Sequence, residues 1–180
     1  MEKVSKEYKI TADAVVLAGN GEDLSLLLIK RKYPPFKGEW ALPGGFSEPQ
    51  ESPVDTCRRE LKEETGLELT SAILWPLSTR ELVGRDPRGK VISYPFIFHQ
   101  ENTTPLKEGD DAAVADWVPI TKIERLAFDH GAILCEALGY LFPLLAKRAP
   151  RKVTISLPRM LTRNLDLDKN QQAVIFPGTF

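Results

Sequence analysis

The carboxylates in residues 58–67, RRELKEETGL, have a spacing that could bind a metal ion. On an α-helix, Glu60 and Glu64 lie one turn apart and Glu63 lies beside Glu60, so all three share a sector roughly 100° wide. Like charges at positions i and i+4 repel each other, which favours a cation between them. Mg²⁺ is held by such sparse oxygen ligands, together with water and substrate phosphate. Taken alone, the stretch also fits an exposed helix with a surface pair of Arg59 and Glu63.

The helix that carries these carboxylates has clear end signals. Ser52 is expected to be the N-cap, Pro53 occupies the first helical position, and Gly66 lies just past the last turn. Val54, Cys57 and Leu61 form an apolar stripe next to the acidic sector. The sequence therefore predicts that this stripe packs on a sheet and that the carboxylates lie at the rim of the core.

A longer pattern begins at Gly45. Five residues separate Gly45 from Glu51, seven more lead to Arg59, and the segment from Arg59 to Leu67 reads RELKEETGL. Every fixed position resembles the box that defines the Nudix hydrolases, and a random match in one chain has a probability on the order of 10⁻⁷. The resemblance implies an α+β fold, the Nudix α/β/α sandwich with a mixed β-sheet. It also implies Mg²⁺-dependent hydrolysis of a nucleoside diphosphate linked to another group, with Mn²⁺ as a substitute metal.

The resemblance assigns roles to the residues of the box. The groups that it assigns to the metal are the carbonyl of Gly44 and the carboxylates of Glu60, Glu63 and Glu64. Glu51 is a further candidate for the catalytic site, and Glu63 could also orient a water. Arg59 is expected to hold the acidic cluster in place through Glu63 and not to touch the substrate.

Four stretches outside the box narrow the substrate. LLIKRKYPPFKGEWALPGGF, GRDPRGKVIS, GDDAAVADWVPI and LAFDHGAIL resemble the branch of ADP-ribose pyrophosphatases and their regulatory relatives. With the box, the likeness covers roughly residues 10–140. It implies hydrolysis of ADP-ribose and of related nucleoside diphosphate sugars to a nucleoside monophosphate and a sugar phosphate. The choice between ADP-ribose, GDP-mannose and other nucleotide sugars stays open.

Candidate substrate contacts follow from side-chain chemistry. A guanidinium matches phosphate bidentately, a loop aromatic can stack on adenine, and a glycine lets the backbone approach phosphate closely. The predicted substrate-binding residues are Arg31, Trp40, Gly45, Arg85 and Arg88, with Phe36 as the other aromatic that could stack on adenine. An exposed turn at the last two arginines and a packing role for Trp40 are the alternatives.

The resemblance places the catalytic base in an acidic loop outside the box. Asp110 and Asp111 are the predicted catalytic residues of this loop, with Glu108 as a third candidate; a merely solvated loop is the alternative. His130 is interpreted as a first-turn residue of a helix rather than as the base. His99 has no evident partner in the sequence.

Several elements must position these groups. Strands are predicted over 10–19 and 24–32, joined by an Asn20–Gly21 hairpin turn, and over 71–82, 90–100 and 116–119. The Pro- and Gly-rich segment 33–46 is predicted to be a shaped loop around a short strand at 40–42. A second helix is predicted over 129–142, capped by Asp129.

The chain divides near Pro150. Residues 1–150 are predicted to form the Nudix domain, and 151–180 a C-terminal extension that docks on a dimer partner or on its own sheet. Residues 147–169 hold seven Lys or Arg against two Asp, a net charge of +5, while VTISL and QAVIF alternate like strands. Similarity to dimeric family members implies a homodimer. The ending AVIFPGTF resembles the first strand of nucleotidyltransferases that make NAD, and whether such a domain follows stays open.

Composition bounds the partners and the compartment. The formal net charge is −1, with 42% hydrophobic and 27% charged residues, and no apolar run approaches the ~20 residues that span a bilayer. We therefore expect a cytoplasmic protein that binds neither nucleic acid nor membrane, and the resemblance implies that its partner is a nucleotide-sugar substrate. Two alternatives remain: an ADP-ribose-sensing transcription regulator, which would need a winged helix of about 60 residues, and a Nudix enzyme for nucleoside triphosphates.

Overall fold

The structure is a computed structural model of the chain, and it describes residues 8–19, 23–69, 73–81, 84–107, 112–148, 153–156 and 172–175. Seven strands form one mixed sheet: β1 (Lys9–Ala18), β2 (Ser25–Arg31), β3 (Trp40–Ala41), β4 (Gly44–Phe46), β5 (Ile73–Pro76), β6 (Val91–Gln100) and β7 (Ala112–Pro119). The helices of the described residues are α1 (Pro53–Thr65) and α2 (His130–Arg148), and a 3₁₀ turn spans Ile120–Lys122.

Strand β1 is the centre of the sheet. One of its edges pairs in parallel with the whole of β6. Its other edge is divided: Thr11–Asp13 pair with β4, and Leu17 and Ala18 pair with β2. Because β3 pairs with β2 while β4 pairs with β1, the segment 40–46 is inserted where β1 and β2 diverge. This divergence brings the end of β2 and the start of β4 to one place.

Each face of the sheet carries a core because successive side chains of a strand point to opposite faces. Val15 and Leu17 belong to a cluster that includes Leu134 and Leu138 of α2. On the opposite face, Ala12, Ala14 and Val16 belong to a cluster with residues of α1. The fold is therefore the predicted α/β/α sandwich, and the fold class is confirmed.

Helix α1 forms as its end signals predict. The Ser52 side chain accepts a hydrogen bond from the Asp55 N–H, Pro53 starts the helix, and Gly66 ends it in the left-handed conformation at φ 70°. The Gly66 N–H donates to the Lys62 carbonyl. Cys57 and Leu61 are buried against the sheet, which confirms the predicted apolar stripe.

Three other elements differ from prediction. Helix α2 continues past residue 142 to Arg148, so Pro143 does not end it. Strand β7 starts at Ala112 rather than at Asp116 because it pairs with β2 over nearly the full length of β2. Strand β5 is shorter than predicted, and beyond it Arg80 forms only an isolated bridge with Ser93. The predicted Asn20–Gly21 turn lies outside the described residues.

Two short strands of the C-terminal extension pair with each other. β8 (Val153–Ser156) and β9 (Gln172–Ile175) are antiparallel and form a separate two-stranded sheet, at the places where the sequence alternates. Among the described residues, no helix has the length and apolarity that crossing a membrane requires. Both cysteines are free thiols, with Cys57 buried and Cys135 partly buried.

Candidate active site

Glu64 is the most buried carboxylate of the acidic helix. It is 8% exposed, and its Oε2 accepts a hydrogen bond of 2.8 Å from the Gly44 N–H. Burial raises the pKa of Glu64 to about 8, and the neighbouring carboxylates of Glu60 and Asp13 act in the same direction. The backbone of β4 thus fixes one oxygen of a carboxylate whose negative charge is disfavoured without a cation.

Glu60 lies against the glycine of the box. A Cβ added to Gly45 would meet Glu60 Oε1 at 2.3 Å, so any other residue here would displace this carboxylate from its position. Burial raises the pKa of Glu60, while Arg59 opposes that rise. Glycine at position 45 therefore serves the acidic helix directly, in addition to its predicted contact with substrate.

Arg59 connects the carboxylates of the box. Its guanidinium contacts Glu51 at 2.9 and 3.0 Å, Glu60 at 2.9 Å and Glu63 at 3.1 Å, and it also donates to the Phe46 carbonyl at 3.0 Å. The hydrogen bonds from Arg59 lower the pKa of Glu51 to about 2. Arg59 thus reaches three carboxylates and the backbone of β4, whereas Glu63 alone was expected.

Glu51 and Glu63 lie differently from Glu60 and Glu64. Both oxygens of Glu51 are engaged, by Arg59, by the Thr56 hydroxyl and by the Glu48 N–H. The Glu63 side chain is 57% exposed. Glu51 is therefore placed to hold Arg59, and Glu63 lies on the solvent side of the cluster.

The donor set fits a magnesium ion that keeps most of its waters. Within the described residues, no three His, Cys, Asp or Glu side chains form a complete metal cluster. Glu60 Oε1 accepts a hydrogen bond from Arg59, and Glu64 Oε2 accepts one from the Gly44 N–H. Among the described residues, these hydrogen bonds use only one oxygen of each carboxylate. Mg²⁺ is commonly held by one or two carboxylates plus substrate phosphates. The two carboxylates that face this cleft, Glu60 and Glu64, are therefore enough protein ligands for a Mg²⁺ ion.

Arginines lie on the other side of this cleft. Two adjoining depressions share Arg31, Gly44 and Gly45; one also includes Glu60 and Glu64, and the other Arg85 and Arg88. Arg31 Nε donates to the Pro35 carbonyl at 2.7 Å, and no carboxylate of the described residues forms an ion pair with Arg31. Burial and the nearby Arg88 lower the pKa of Arg31. The cleft thus has an acidic side and a basic side.

Arg85 and Arg88 already have carboxylate partners. Arg85 contacts both oxygens of Asp129, with a shortest distance of 2.7 Å, and its side chain is only 5% exposed. Asp129, predicted to cap α2, directs its carboxylate to Arg85 instead. Arg88 contacts Asp86 at 2.6 Å and is 33% exposed, so Arg88 is the more accessible of the two.

A buried polar network that the sequence did not predict lies under the cleft. Asp13 of β1 hydrogen-bonds Ser93 and lies 3.8 Å from His130 Nε2. His130 Nδ1 accepts the Leu42 N–H at 2.9 Å, and burial lowers the pKa of His130. His130 does start α2 as expected, but it also fixes the segment that leads to Gly44. The sequence signal for this network was Asp13, an isolated carboxylate in the otherwise apolar strand ITADAVVLAG.

The predictions for Trp40 and for the acidic loop remain to be compared with the structure. Trp40 packs against the core formed with α2, and Lys30 lies 5.0 Å from the centre of its ring, which is the packing role given as the alternative. Asp110 and Asp111 lie outside the described residues, as does Glu108. The residues on either side of them are described: the Lys107 N–H donates to the Thr65 carbonyl at the end of α1, and Ala112 pairs with Arg31.

Comparison with known families decides the identity of the fold and of the box. The profile of the NUDIX domain matches residues 7–137. The chain belongs to the Nudix family. The recognition drawn from the box is therefore confirmed, and the chain is a Nudix hydrolase by family and by its complete box.

Two relatives, an enzyme and a transcriptional repressor, are similar to this chain. The chain is 46% identical over 132 residues to the ADP-ribose pyrophosphatase of Methanocaldococcus jannaschii, a match covering 72% of this chain and 76% of that protein. It is 30% identical over 139 residues to the ADPR responsive transcriptional repressor NtrR of Acinetobacter baylyi, covering 73% of this chain and 54% of the repressor.

Two solved structures share the fold. The NUDIX domain of Shewanella oneidensis NrtR complexed with ADP ribose has a TM-score of 0.70 at 28% identity, covering 78% of this chain and 93% of that one. A bifunctional NMN adenylyltransferase/ADP ribose pyrophosphatase from Francisella tularensis, complexed with AMP and a Mn ion, has a TM-score of 0.66 at 28% identity. That match covers 76% of this chain and 43% of the Francisella chain.

Proposed function

We propose that this Nudix protein hydrolyses ADP-ribose to AMP and ribose 5-phosphate in a Mg²⁺-dependent reaction, and that it acts on related nucleoside diphosphate sugars. The observation that carries the proposal is the cleft itself, in which the depression lined by Glu60 and Glu64 adjoins the depression lined by Arg88. Arg31, Gly44 and Gly45 line both depressions. A diphosphate needs cationic contacts for its oxygens and a metal for its transition state. Similarity to the Methanocaldococcus ADP-ribose pyrophosphatase supports the choice of substrate.

We propose different roles for the two sides of the cleft: the acidic side binds the metal and the basic side binds the phosphates. Glu60 and Glu64 would hold the metal, with the Gly44 carbonyl and Glu63 as further ligands, and Mn²⁺ is proposed as a substitute. A bound divalent ion screens the charge of the diphosphate and lowers the pKa of a coordinated water. Arg31 and Arg88 would bind the phosphates, and the absence of side chains at Gly44 and Gly45 would let the backbone approach them. Asp110 and Asp111 remain the proposed general bases.

A substrate panel with product identification tests this function. ADP-ribose, GDP-mannose, other nucleotide sugars, NADH and nucleoside triphosphates are incubated with Mg²⁺, with Mn²⁺ and with a chelator, and the products are separated chromatographically. We expect AMP and ribose 5-phosphate from ADP-ribose, and no turnover in the chelator. Absence of turnover for every diphosphate compound in the presence of metal would refute the proposed hydrolase activity. Preferential turnover of triphosphates would refute the proposal that ADP-ribose is the substrate.

A second candidate function is ADP-ribose-dependent regulation, because the chain is 30% identical to a transcriptional repressor. The net charge of +5 over residues 147–169 could contact DNA phosphates. Equilibrium binding to duplex DNA, with and without ADP-ribose, discriminates the two functions. A regulator would release or bind a particular sequence in response to ADP-ribose, whereas the proposed enzyme would show only weak, salt-sensitive binding.

We also propose a cytoplasmic homodimer to which residues 151–180 contribute. The +5 charge near the junction could approach the acidic side of the partner's active site if the two subunits are related by a twofold axis. Truncation after Pro150 should then weaken both dimerisation and ADP-ribose affinity, as measured by sedimentation and by KM. A full-length monomer at micromolar concentration, or a truncated chain with unchanged mass and activity, would contradict this arrangement. Fractionation of cells that produce the full chain tests the compartment.

A further inference from the structure

Phe128 has a backbone conformation that a side chain of its size rarely adopts. Its φ is 52°, in the left-handed region that favours glycine. The ring packs edge-to-face on Phe36 with centroids 4.6 Å apart, and it contacts a small buried cluster that includes Ile29 and Ala41. Because this conformation is unfavourable for phenylalanine, the ring must be held at this place by its surroundings.

The ring of Phe128 lies beneath two guanidinium groups. The Cζ of Arg31 is 4.9 Å from its centroid, and the Cζ of Arg88 is 5.4 Å away. Arg88 also lies 4.5 Å from the centroid of Phe46. The face of an aromatic ring attracts cations within about 6 Å, and this attraction offsets part of the repulsion between the two arginines. Phe128 is therefore the common support of two like charges.

Separate ion pairs hold the ring and one of the arginines. Asp129, the next residue in the chain, is gripped bidentately by the buried Arg85, so this pair fixes the backbone at Phe128. Asp86 holds Arg88 through both of its oxygens. Arg85 consequently acts through Asp129 on the position of Phe128, and it has little surface left for substrate.

The acidic helix is joined to the same arrangement. Arg59 of the box donates to the Phe46 carbonyl at 3.0 Å, and the ring of Phe46 lies beneath Arg88. Phe46 follows directly after the two glycines of the cleft. The two aromatic rings thus place the guanidinium of Arg88 at a fixed position relative to the carboxylates.

We infer that Phe128 is a positioning residue that holds Arg31 and Arg88 together as a two-guanidinium site for the diphosphate group of the substrate. The inference rests on the proposed function and adds to it the residue that organises phosphate binding. Phe128 acts through the arginines, so its loss should weaken binding of the diphosphate far more than it slows the reaction of bound substrate. Arg85 is a second positioning residue of the same site.

Binding of ADP without divalent metal tests the inference apart from catalysis. Isothermal titration in a chelator compares the wild-type protein with Phe128→Leu, which keeps an apolar side chain but removes the aromatic face. We expect about five- to thirty-fold weaker binding in Phe128→Leu, with recovery in Phe128→Tyr. Trp75→Leu, the same type of change at a 55% exposed aromatic on the edge strand β5, should bind ADP as the wild type does. Equal affinity of Phe128→Leu and wild type, equal weakening in Phe128→Leu and Phe128→Tyr, or no binding to the wild type at millimolar ADP would overturn the inference.

A double-mutant cycle guards against a general loss of structure. If Phe128 works through the arginines, Phe128→Leu should weaken ADP binding much less in an Arg31→Leu, Arg88→Leu background than in the wild type. Equal weakening in both backgrounds would contradict the inference. If Phe128→Leu does not fold, as judged by circular dichroism, Arg85→Lys serves instead, because the cycle with Arg31→Leu and Arg88→Leu makes the same prediction for it.

Steady-state kinetics separates this inference from the proposed function. With ADP-ribose, Phe128→Leu should raise KM by about five- to thirty-fold and change kcat by less than about threefold. A wild-type protein that hydrolyses ADP-ribose beside a Phe128→Leu variant with unchanged KM would overturn the positioning role alone. A wild-type protein without turnover, in which Phe128→Leu still weakens ADP binding, would overturn the proposed reaction alone.

Discussion

The two sides of the cleft are built by opposite strategies. The acidic side comes from a single helix, α1, whose side chains follow one another at fixed spacing. The basic side comes from three separate places: Arg31 at the end of β2, Arg88 in the turn before β6, and Phe128 before α2. A local segment is enough to gather carboxylates that repel each other when a cation will bind between them. Gathering two arginines without an anion requires long-range packing.

The difference also predicts how each side responds to change. Carboxylates that hold a metal stabilise the transition state, so their loss should mainly lower kcat. Arginines that bind phosphate in substrate and transition state alike should mainly affect KM. The largest expected effects are therefore on the acidic side.

Replacement of Glu64 by Gln should have the largest effect. The amide keeps an acceptor for the Gly44 N–H but loses the negative charge, so we expect kcat to fall about 10²- to 10⁴-fold with folding intact. Steady-state kinetics at several Mg²⁺ concentrations and a thermal melt measure the two quantities. A near-normal kcat of Glu64→Gln at limiting Mg²⁺ would contradict the proposal that Glu64 is a metal ligand.

The acidic loop is expected to come second. If Asp110 or Asp111 supplies the general base, replacing that residue by Asn should lower kcat about 10²-fold, since a positioned base contributes about 10²- to 10⁴-fold. The other replacement then acts as the matched control and should change kcat little. If both variants retain kcat, the base lies elsewhere in the cleft.

The loss of Arg31 should act on binding. We expect Arg31→Leu to raise KM for ADP-ribose about tenfold or more, because a charge-assisted contact with phosphate is lost, while kcat changes only a few-fold. Lys122→Leu, on the exposed 3₁₀ turn, is a control for the removal of a positive charge. An Arg31→Leu variant that lowers kcat at unchanged KM would place Arg31 on the side of the cleft that acts on rate.

A separate effect, on stability rather than on activity, concerns the metal-free protein. Because burial raises the pKa of Glu64 to about 8, its folded-state pKa lies above the unfolded value of about 4.3. The stability that its protonated form contributes is complete below the unfolded pKa and is lost as pH rises through about 8. We expect the wild type to lose roughly 3–4 kcal/mol, about 6–16 °C in Tm, between pH 5 and pH 8 relative to Glu64→Gln in chelator. The same change in Tm with pH for the wild type and for Glu64→Gln would contradict this.

The same contrast explains what the sequence could predict. Helix α1, with Ser52, Pro53 and Gly66 at its ends, follows from local rules of capping, and its carboxylates follow from helical periodicity. Strand β4 was missed because its pairing with Thr11–Asp13 depends on a distant segment and not on its own residues, Gly44–Phe46. The parallel pairing of β1 with β6 is likewise a long-range event.

The arginines show the same limit in their side chains. Arg31, Arg85 and Arg88 were recognised by type, but nothing in the sequence shows that Arg85 binds Asp129, 44 positions away, while Arg31 binds no carboxylate of the described residues. Phe128 gives no local sign of its positive φ. Residue type therefore identifies candidates, and the packing of separate segments decides which of them can meet the substrate.

Direct binding of ADP-ribose to Glu64→Gln in the presence of Mg²⁺ tests the division of the cleft most directly. The variant should turn over too slowly to consume its ligand during a calorimetric titration. We predict that Glu64→Gln binds ADP-ribose with a Kd within about threefold of the wild-type KM, and that adding Arg31→Leu weakens this binding about tenfold or more. Loss of ADP-ribose binding in Glu64→Gln itself, or no further loss on adding Arg31→Leu, would contradict the assignment of rate to the acidic side and of affinity to the basic side.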